Sequence, residues 1–276
     1  MFTLNCGGRL LNADRPLVMG IINTTPDSFY EGSRQRAIDA VLRKAEQMMN
    51  EGAAILDLGG QSSRPGAEAV KEDEELQRVI APIAAIRQRI PEAVISIDTY
   101  YARVAEFAVS AGATIINDIS GGTLDEIMLA TAGRLAVPYV CTHIKGQPKN
   151  MQQQAVYEDI TREILEYFIE RIETCRRNGI KDIIIDPGFG FAKTIAQNFK
   201  LLKNLAAFNI TGKPVLVGLS RKKTVYQTLQ VGPEDALNGS TVMHTIALQN
   251  GASILRVHDV KEAVQAITLT EAYRQA

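Results

Sequence analysis

The chain has 276 residues, 46% of them hydrophobic, enough for one large domain with a core of ordinary size. Thirty Lys and Arg against 31 Asp and Glu leave a net charge of −1 without a block of like charge, which excludes docking onto a nucleic-acid backbone. No apolar stretch nears the roughly 20 residues that span a bilayer, the first residues lack a basic leader, and Cys6, Cys141 and Cys175 form no C-x-x-C pair. A cytoplasmic protein with buried, unpaired cysteines, no nucleic-acid partner and no membrane partner is expected.

In chain order, Gly7-Gly8 and the turn residues from Asn12 to Pro16 predict a short hairpin in the first 15 residues. A β-branched apolar run follows at 17–22. Ile38, Val41, Leu42, Ala45, Met48 and Met49 then recur at helical spacing and stop at Gly52. Further apolar runs lie at 55–58, 94–97, 114–119, 138–142, 182–185, 214–219 and 253–257. Each is apolar at nearly every position, as a parallel strand covered on both faces requires. Pro82, inside the segment 72–90, predicts a kink or an irregular first half of that helix. Ile160, Ile164, Leu165, Phe168, Ile169 and Ile172 mark another helix, ending at Asn178-Gly179 with Arg176 and Arg177 in its last turn. The last helix opens with Asp259-Val-Lys-Glu262, a variant of the capping box. Eight strand–helix units predict an α/β fold, a (β/α)8 TIM barrel with a short N-terminal β-hairpin, as one domain over 1–276; about 250 residues is typical. The alternative is a doubly wound open sheet, disfavoured by the count and by the lack of a G-x-G-x-x-G turn after the first strand.

In such barrels the reacting groups sit at the C-terminal strand ends. Those positions read Asn23 to Ser28, Gly59 to Gly66, Asp98-Thr99, Asn117-Asp118, His143, Asp186 to Gly190, Ser220 to Lys223 and Arg256 to Asp259. One polar strand end is ordinary; all eight together predict a polar binding site. Arg256 and His258, two apart on a strand, project to one face, and with Arg64 and Lys222 they suit an anion such as phosphate or pyrophosphate. For Arg256 and His258 taken singly, a salt bridge with Asp259 or a neighbouring acid is the competing reading. Asp98, Asn117 and Asp186 suit a ring with fixed donor and acceptor edges, whereas Asp118 and Asp27 also fit loop ties. The residues thus predict a heterocycle bearing a phosphate ester and leave its reaction open. Lys222 fits a Schiff-base aldolase equally well.

Seven ordered strings add a resemblance: VMGIINTTPDSF at 18–29, GQSSRPG at 60–66, SIDT at 96–99, NDIS at 117–120, DPGFGF at 186–191, SRK at 220–222 and RVHD at 256–259. Over essentially its whole length the chain resembles the dihydropteroate synthases. The resemblance implies joining of (7,8-dihydropterin-6-yl)methyl diphosphate to 4-aminobenzoate, giving 7,8-dihydropteroate and diphosphate by an SN1-like displacement. It implies pterin binding by Asp98, Asn117, Asp186 and Lys222, a diphosphate cradle of Arg256 and His258 with Ser63 and Asn23, Val257 as a further contact to the pterin diphosphate, and Mg²⁺ held by Asn23. Lys222, Arg256, His258 and Asp98 are the implied catalytic groups. Asp27, Ser28, Phe29, Arg64, Pro65, Phe189 and Lys223 are assigned to the aminobenzoate pocket and its loops, and a homodimer is implied. The chain departs from the family pattern at Gln61 for glutamate, Ser63 for threonine, Thr142 for methionine, Ala192 for glycine and Lys223 for serine. Rival readings are a pterin-binding methyltransferase domain and a non-catalytic pterin-binding protein.

Overall fold

The structure, a computed structural model, describes residues 1–24, 34–61 and 70–276. Gly7 and Gly8, at φ +64° and +92°, supply the left-handed conformations that a two-residue hairpin turn needs. They join β1 (Phe2–Cys6) to β2 (Arg9–Ala13) in the antiparallel hairpin expected from the sequence.

Eight parallel strands follow: β3 (Leu17–Asn23), β4 (Ile55–Gly59), β5 (Ile95–Asp98), β6 (Ile115–Asp118), β7 (Tyr139–Thr142), β8 (Ile183–Asp186), β9 (Leu216–Val217) and β10 (Ile254–Val257). Their order, β8-β7-β6-β5-β4-β3-β10-β9, keeps chain neighbours adjacent, and a parallel bridge from Ile185 to Val215 links the two ends. The sheet therefore curls into a nearly closed barrel. A doubly wound sheet would instead reverse its order at a switch point. The expected run at 214–219 pairs only over Leu216–Val217 and the Val215 bridge. Helices α1 (Arg34–Asn50), α2 (Glu72–Arg89), α3 (Ala102–Ala111), α4 (Met128–Leu135), α5 (Ile160–Arg177), α6 (Ile195–Lys203), α7 (Lys223–Leu229), α8 (Leu237–Gln249) and α9 (Val260–Gln275) lie between and after the strands.

Alternation along the strands sorts the core into two parts. Leu56, Leu58, Ile95, Ile97, Ile116, Val217 and Leu255 face the helices and pack with Val79, Ile83, Ala105 and Phe168. Met19, Ile55, Val94, Ile115, Val140, Ile184, Leu216 and Ile254 face inward, and Leu4 and Cys6 of the hairpin join them. The hairpin thus plugs the barrel's N-terminal end. Burying each of these large side chains contributes about 1.5–3 kcal/mol. Two residues further along, the same inward parity delivers Asp57, Ser96, Asn117, Thr142, Asp186 and Arg256, so a polar layer sits directly on the apolar plug.

The irregular first half expected of α2 and the cap expected at Asp259 are not found. Helix α2 runs unbroken for 18 residues with Pro82 inside it, because Pro82 shares a buried face with Val79, Ile83 and Ile86 and that packing outweighs one lost backbone bond. Asp259 stands at the N-cap of α9 without capping it, since its carboxylate takes both Nε and Nη2 of Arg221 at 2.8 and 2.9 Å. Helix α5 is capped at its N-terminus by Asp159, which accepts from the backbone of Thr161 and Arg162.

Candidate active site

The polar layer is held together by one arginine. Arg256, inward on β10, donates from Nε to Asp57 Oδ2 and from Nη2 to Asp98 Oδ2, each at 2.6 Å. Asn117 Nδ2 donates to the same Asp57 oxygen at 3.0 Å. Burial would depress the charge on Arg256, but Asp57 and Asp98 outweigh it and raise its pKa further. Burial raises Asp98 to about 7 against the pull of Arg256, with Asp57 adding to the rise. The arginine is therefore salt-bridged to neighbouring acids, as its competing reading had it, and still occupies the mouth. Its Nη1 makes no protein hydrogen bond among the described residues.

Asp186 ends β8, where Oδ1 accepts the backbone N–H of Gly188 at 2.7 Å. Gly188, at φ +73°, lets the chain turn so tightly that an added Cβ would lie 2.1 Å from the His143 carbonyl oxygen. Behind this turn the fully buried Lys193 donates to the carbonyls of Gly188 and Phe191 at 3.0 and 2.9 Å and lies 3.1 Å from His143 Nδ1. Burial lowers both Lys193 and His143 well below their usual ranges. His143 thus serves as an internal tie. Lys222, before α7, donates to the Phe189 carbonyl, and its Nζ sits 4.9 Å from the Phe191 ring centroid. Burial lowers it to about 8, with Asp186 opposing the shift.

Several expected site residues are placed differently. The Phe189 ring is fully buried in the core between sheet and helices, and Phe191 is the ring beside Lys222, clustered with Ile119, Ile144, Met151 and Ala192. Val257 packs outward into the same helix-facing core, as alternation with Arg256 demands, so its side chain does not line the mouth. His258 lies 3.2 Å from Ser220 Oγ through Nδ1, and burial followed by Arg256 pushes it down to about 4. It is a neutral imidazole at pH 7 in the free protein, not a second cation. Lys223 is exposed at the start of α7, and Asn23 is exposed at the end of β3 beside Gly59. Asp118 is a loop tie, accepting from Ser120, Gly122 and Tyr139. Asp27, Ser28, Phe29, Ser63, Arg64 and Pro65 lie outside the described residues. Sequence reasoning missed Asp57, whose signal was a lone acid at inward parity within the apolar run 55–58.

Among the described residues no three His, Cys, Asp or Glu side chains converge as a metal site. A single exposed amide, Asn23, suits a hard cation that arrives with substrate phosphates and keeps its waters.

The model of the pterin binding enzyme family matches residues 19–258. The dihydropteroate synthase of Escherichia coli K12 is 44% identical over 268 residues, 96% of this chain and 94% of its own. The chain belongs to the dihydropteroate synthase family. The Yersinia pestis member, solved with a sulfonamide drug, superposes with a TM-score of 0.92 at 42% identity over 100% of both chains. The Xanthomonas albilineans member, solved with 4-aminobenzoic acid, gives 0.91 at 40% identity over 99% and 98%. Against the dihydropteroate synthase pattern, Ala192 replaces glycine while keeping a left-handed φ of +48°, in an apolar cluster that buries its methyl group. Gln61 replaces glutamate and donates to Glu75, a buried acid that burial raises to about 8 while that bond opposes the rise. A second carboxylate in place of Gln61 would leave two acids sharing one buried position.

Proposed function

We infer that this chain is a dihydropteroate synthase, transferring the (7,8-dihydropterin-6-yl)methyl group from diphosphate to the amine of 4-aminobenzoate. The observation that carries this is the convergence of Asp98, Asn117, Asp186, Lys222 and Arg256 around one barrel mouth in a chain matching that family nearly end to end. Relatives whose structures hold 4-aminobenzoic acid or a sulfonamide drug support the arylamine half of the reading.

The chemistry follows from the donors and acceptors. Asp186 keeps Oδ2 for the aminopyrimidinone edge, because Oδ1 is engaged by Gly188. Asn117 spends its Nδ2 on Asp57 and therefore offers its oxygen as an acceptor. Lys222, largely protonated at neutral pH, donates to the ring carbonyl side. Arg256 directs its remaining N–H groups at the diphosphate and stabilises the charge that grows on it as the carbon–oxygen bond breaks. The electron-rich dihydropterin carries the methylene cation. The arylamine lone pair closes the carbon–nitrogen bond, and the resulting ammonium releases its proton. An aniline is already unprotonated near pH 7, so the reaction needs no general base. Neutral His258 supplies a hydrogen bond to the leaving group. Magnesium bound with the diphosphate, with Asn23 as its protein ligand, would neutralise part of the leaving charge.

A homodimer accompanies this reading. Leu229, Val242, Ile246, Leu269 and Tyr273 on α7, α8 and α9 are exposed, and α8 is apolar on more than its sheet-facing side, as a helix covered by a partner would be. A cytoplasmic site fits three free, buried cysteines. No helix among the described residues is long and apolar enough to cross a membrane.

The reading is tested by incubating the protein with both substrates and Mg²⁺ and following diphosphate release. Release that requires 4-aminobenzoate is expected. None under saturating conditions would overturn it, and borohydride trapping of an adduct on Lys222 would point to the aldolase instead.

A further inference from the structure

The acid in the middle of β4 has no part in the reaction as described. Asp57 is fully buried, two residues above Ile55 in the barrel interior. Placing a carboxylate there costs several kcal/mol of desolvation, which only well-formed partners offset. Its Oδ2 receives Arg256 Nε from β10 and Asn117 Nδ2 from β6. One oxygen thus joins the group aimed at the diphosphate to the group aimed at the pterin.

We propose that Asp57 is a positioning residue for the reaction, locking the Asn117 amide with its oxygen toward the pterin and holding the Arg256 guanidinium at the diphosphate end. This rests on the synthase reading of the site. A carboxylate only accepts, so Asn117 must turn its NH₂ toward Asp57 and leave Oδ1 for the ligand. An amide without such a neighbour flips at little cost and offers a donor as readily as an acceptor. A salt bridge that served only to neutralise Arg256 would be met by Asp98 at 2.6 Å; the second acid, shared with Asn117, is what the orientation requires. Asp57 Oδ1 and the neighbouring Ser96 Oγ, paired in register, are buried without a partner among the described residues. The layer under the mouth therefore retains hydrogen-bonding capacity, as a floor for a polar ring should.

The experiment is a double-mutant cycle read by calorimetric titration with a pterin lacking the diphosphate. Asp57→Ala removes the one oxygen that Arg256 Nε and Asn117 Nδ2 share, so the Asn117 amide loses its acceptor and no longer holds its own oxygen toward the ligand. Affinity should fall about tenfold or more in that variant, and less than about threefold when the same change is made in Asn117→Ala. Equal losses in both backgrounds, or no loss in the first, would overturn the proposal. Should Asp57→Ala not fold, side-chain ¹⁵N NMR of the ligand-free, unmutated protein decides. The Arg256 Nε–H, assigned by its disappearance in Arg256→Lys, should be protected from exchange; exchange as fast as an exposed arginine's overturns the proposal. The synthase reading fails separately, if the unmutated protein binds the pterin without turning over.

Discussion

Asp186→Asn should weaken pterin binding without weakening the fold. The variant keeps Oδ1 for the Gly188 N–H, now 2.7 Å away, and replaces Oδ2 with an NH₂ group that meets the pterin's own donors. Losing a charge-assisted bond costs about 1.5–3 kcal/mol, and a buried donor without an acceptor adds about 1–3 kcal/mol. A total near 3 kcal/mol is roughly a 150-fold rise in Kd. Stability should move the other way. Burial raises the folded-state pKa of Asp186, against the pull of Lys222, so the folded protein holds that proton more tightly than the unfolded chain. Stability from this group is then present at low pH and is lost as pH rises from the unfolded value toward the folded one. An asparagine removes that loss, and Tm near pH 7 should stay level or rise. Titration with a pterin lacking the diphosphate and thermal unfolding of the same sample check both halves. Unchanged affinity would show that Asp186 does not hold the ring, and a fall in Tm would refute the burial argument.

Arg256→Ala should lower turnover far more than affinity for a pterin lacking the diphosphate, and steady-state kinetics beside calorimetry would show equal losses if the leaving-group role were wrong. The same change strips two buried carboxylates of their cation and should destabilise the fold by about 3–5 kcal/mol in denaturant titration. Glu75→Gln should raise Tm increasingly between about pH 5 and about pH 8, because the stability of unmutated Glu75 falls as pH rises from its unfolded value through about 8. A pH-independent difference would place the effect elsewhere. Lys223→Ser should change stability by less than about 0.5 kcal/mol, since the side chain is exposed, and a larger shift in Tm would mean that Lys223 is packed.

The barrel was legible because parallel strands covered on both faces write apolar runs, and the runs recur with helical stripes between them. The plug was legible in part: Gly7-Gly8 announces a hairpin, but nothing local says that Leu4 and Cys6 enter the barrel. Strand alternation places Arg256 inward and Val257 outward, so the reassignment of Val257 follows from parity alone. Phe189 and Phe191 could not be separated that way, because they lie in a turn, outside any strand, whose shape is set by Gly188, Gly190 and the buried Lys193. The capping expectation at Asp259 failed for a similar reason. A local pattern competed with Arg221, 38 positions earlier in the chain, and the bidentate ion pair won. Asp57 was hidden by its surroundings, since an acid among Ile55, Leu56 and Leu58 reads as an interruption until its partners on β6 and β10 are known.

Product stoichiometry tests the synthase reaction most directly. Mass-spectrometric quantification of 7,8-dihydropteroate beside diphosphate, in one incubation of the unmutated protein with both substrates and Mg²⁺, should give equal amounts of the two. Diphosphate released without dihydropteroate, or neither product at saturating substrate, would contradict it.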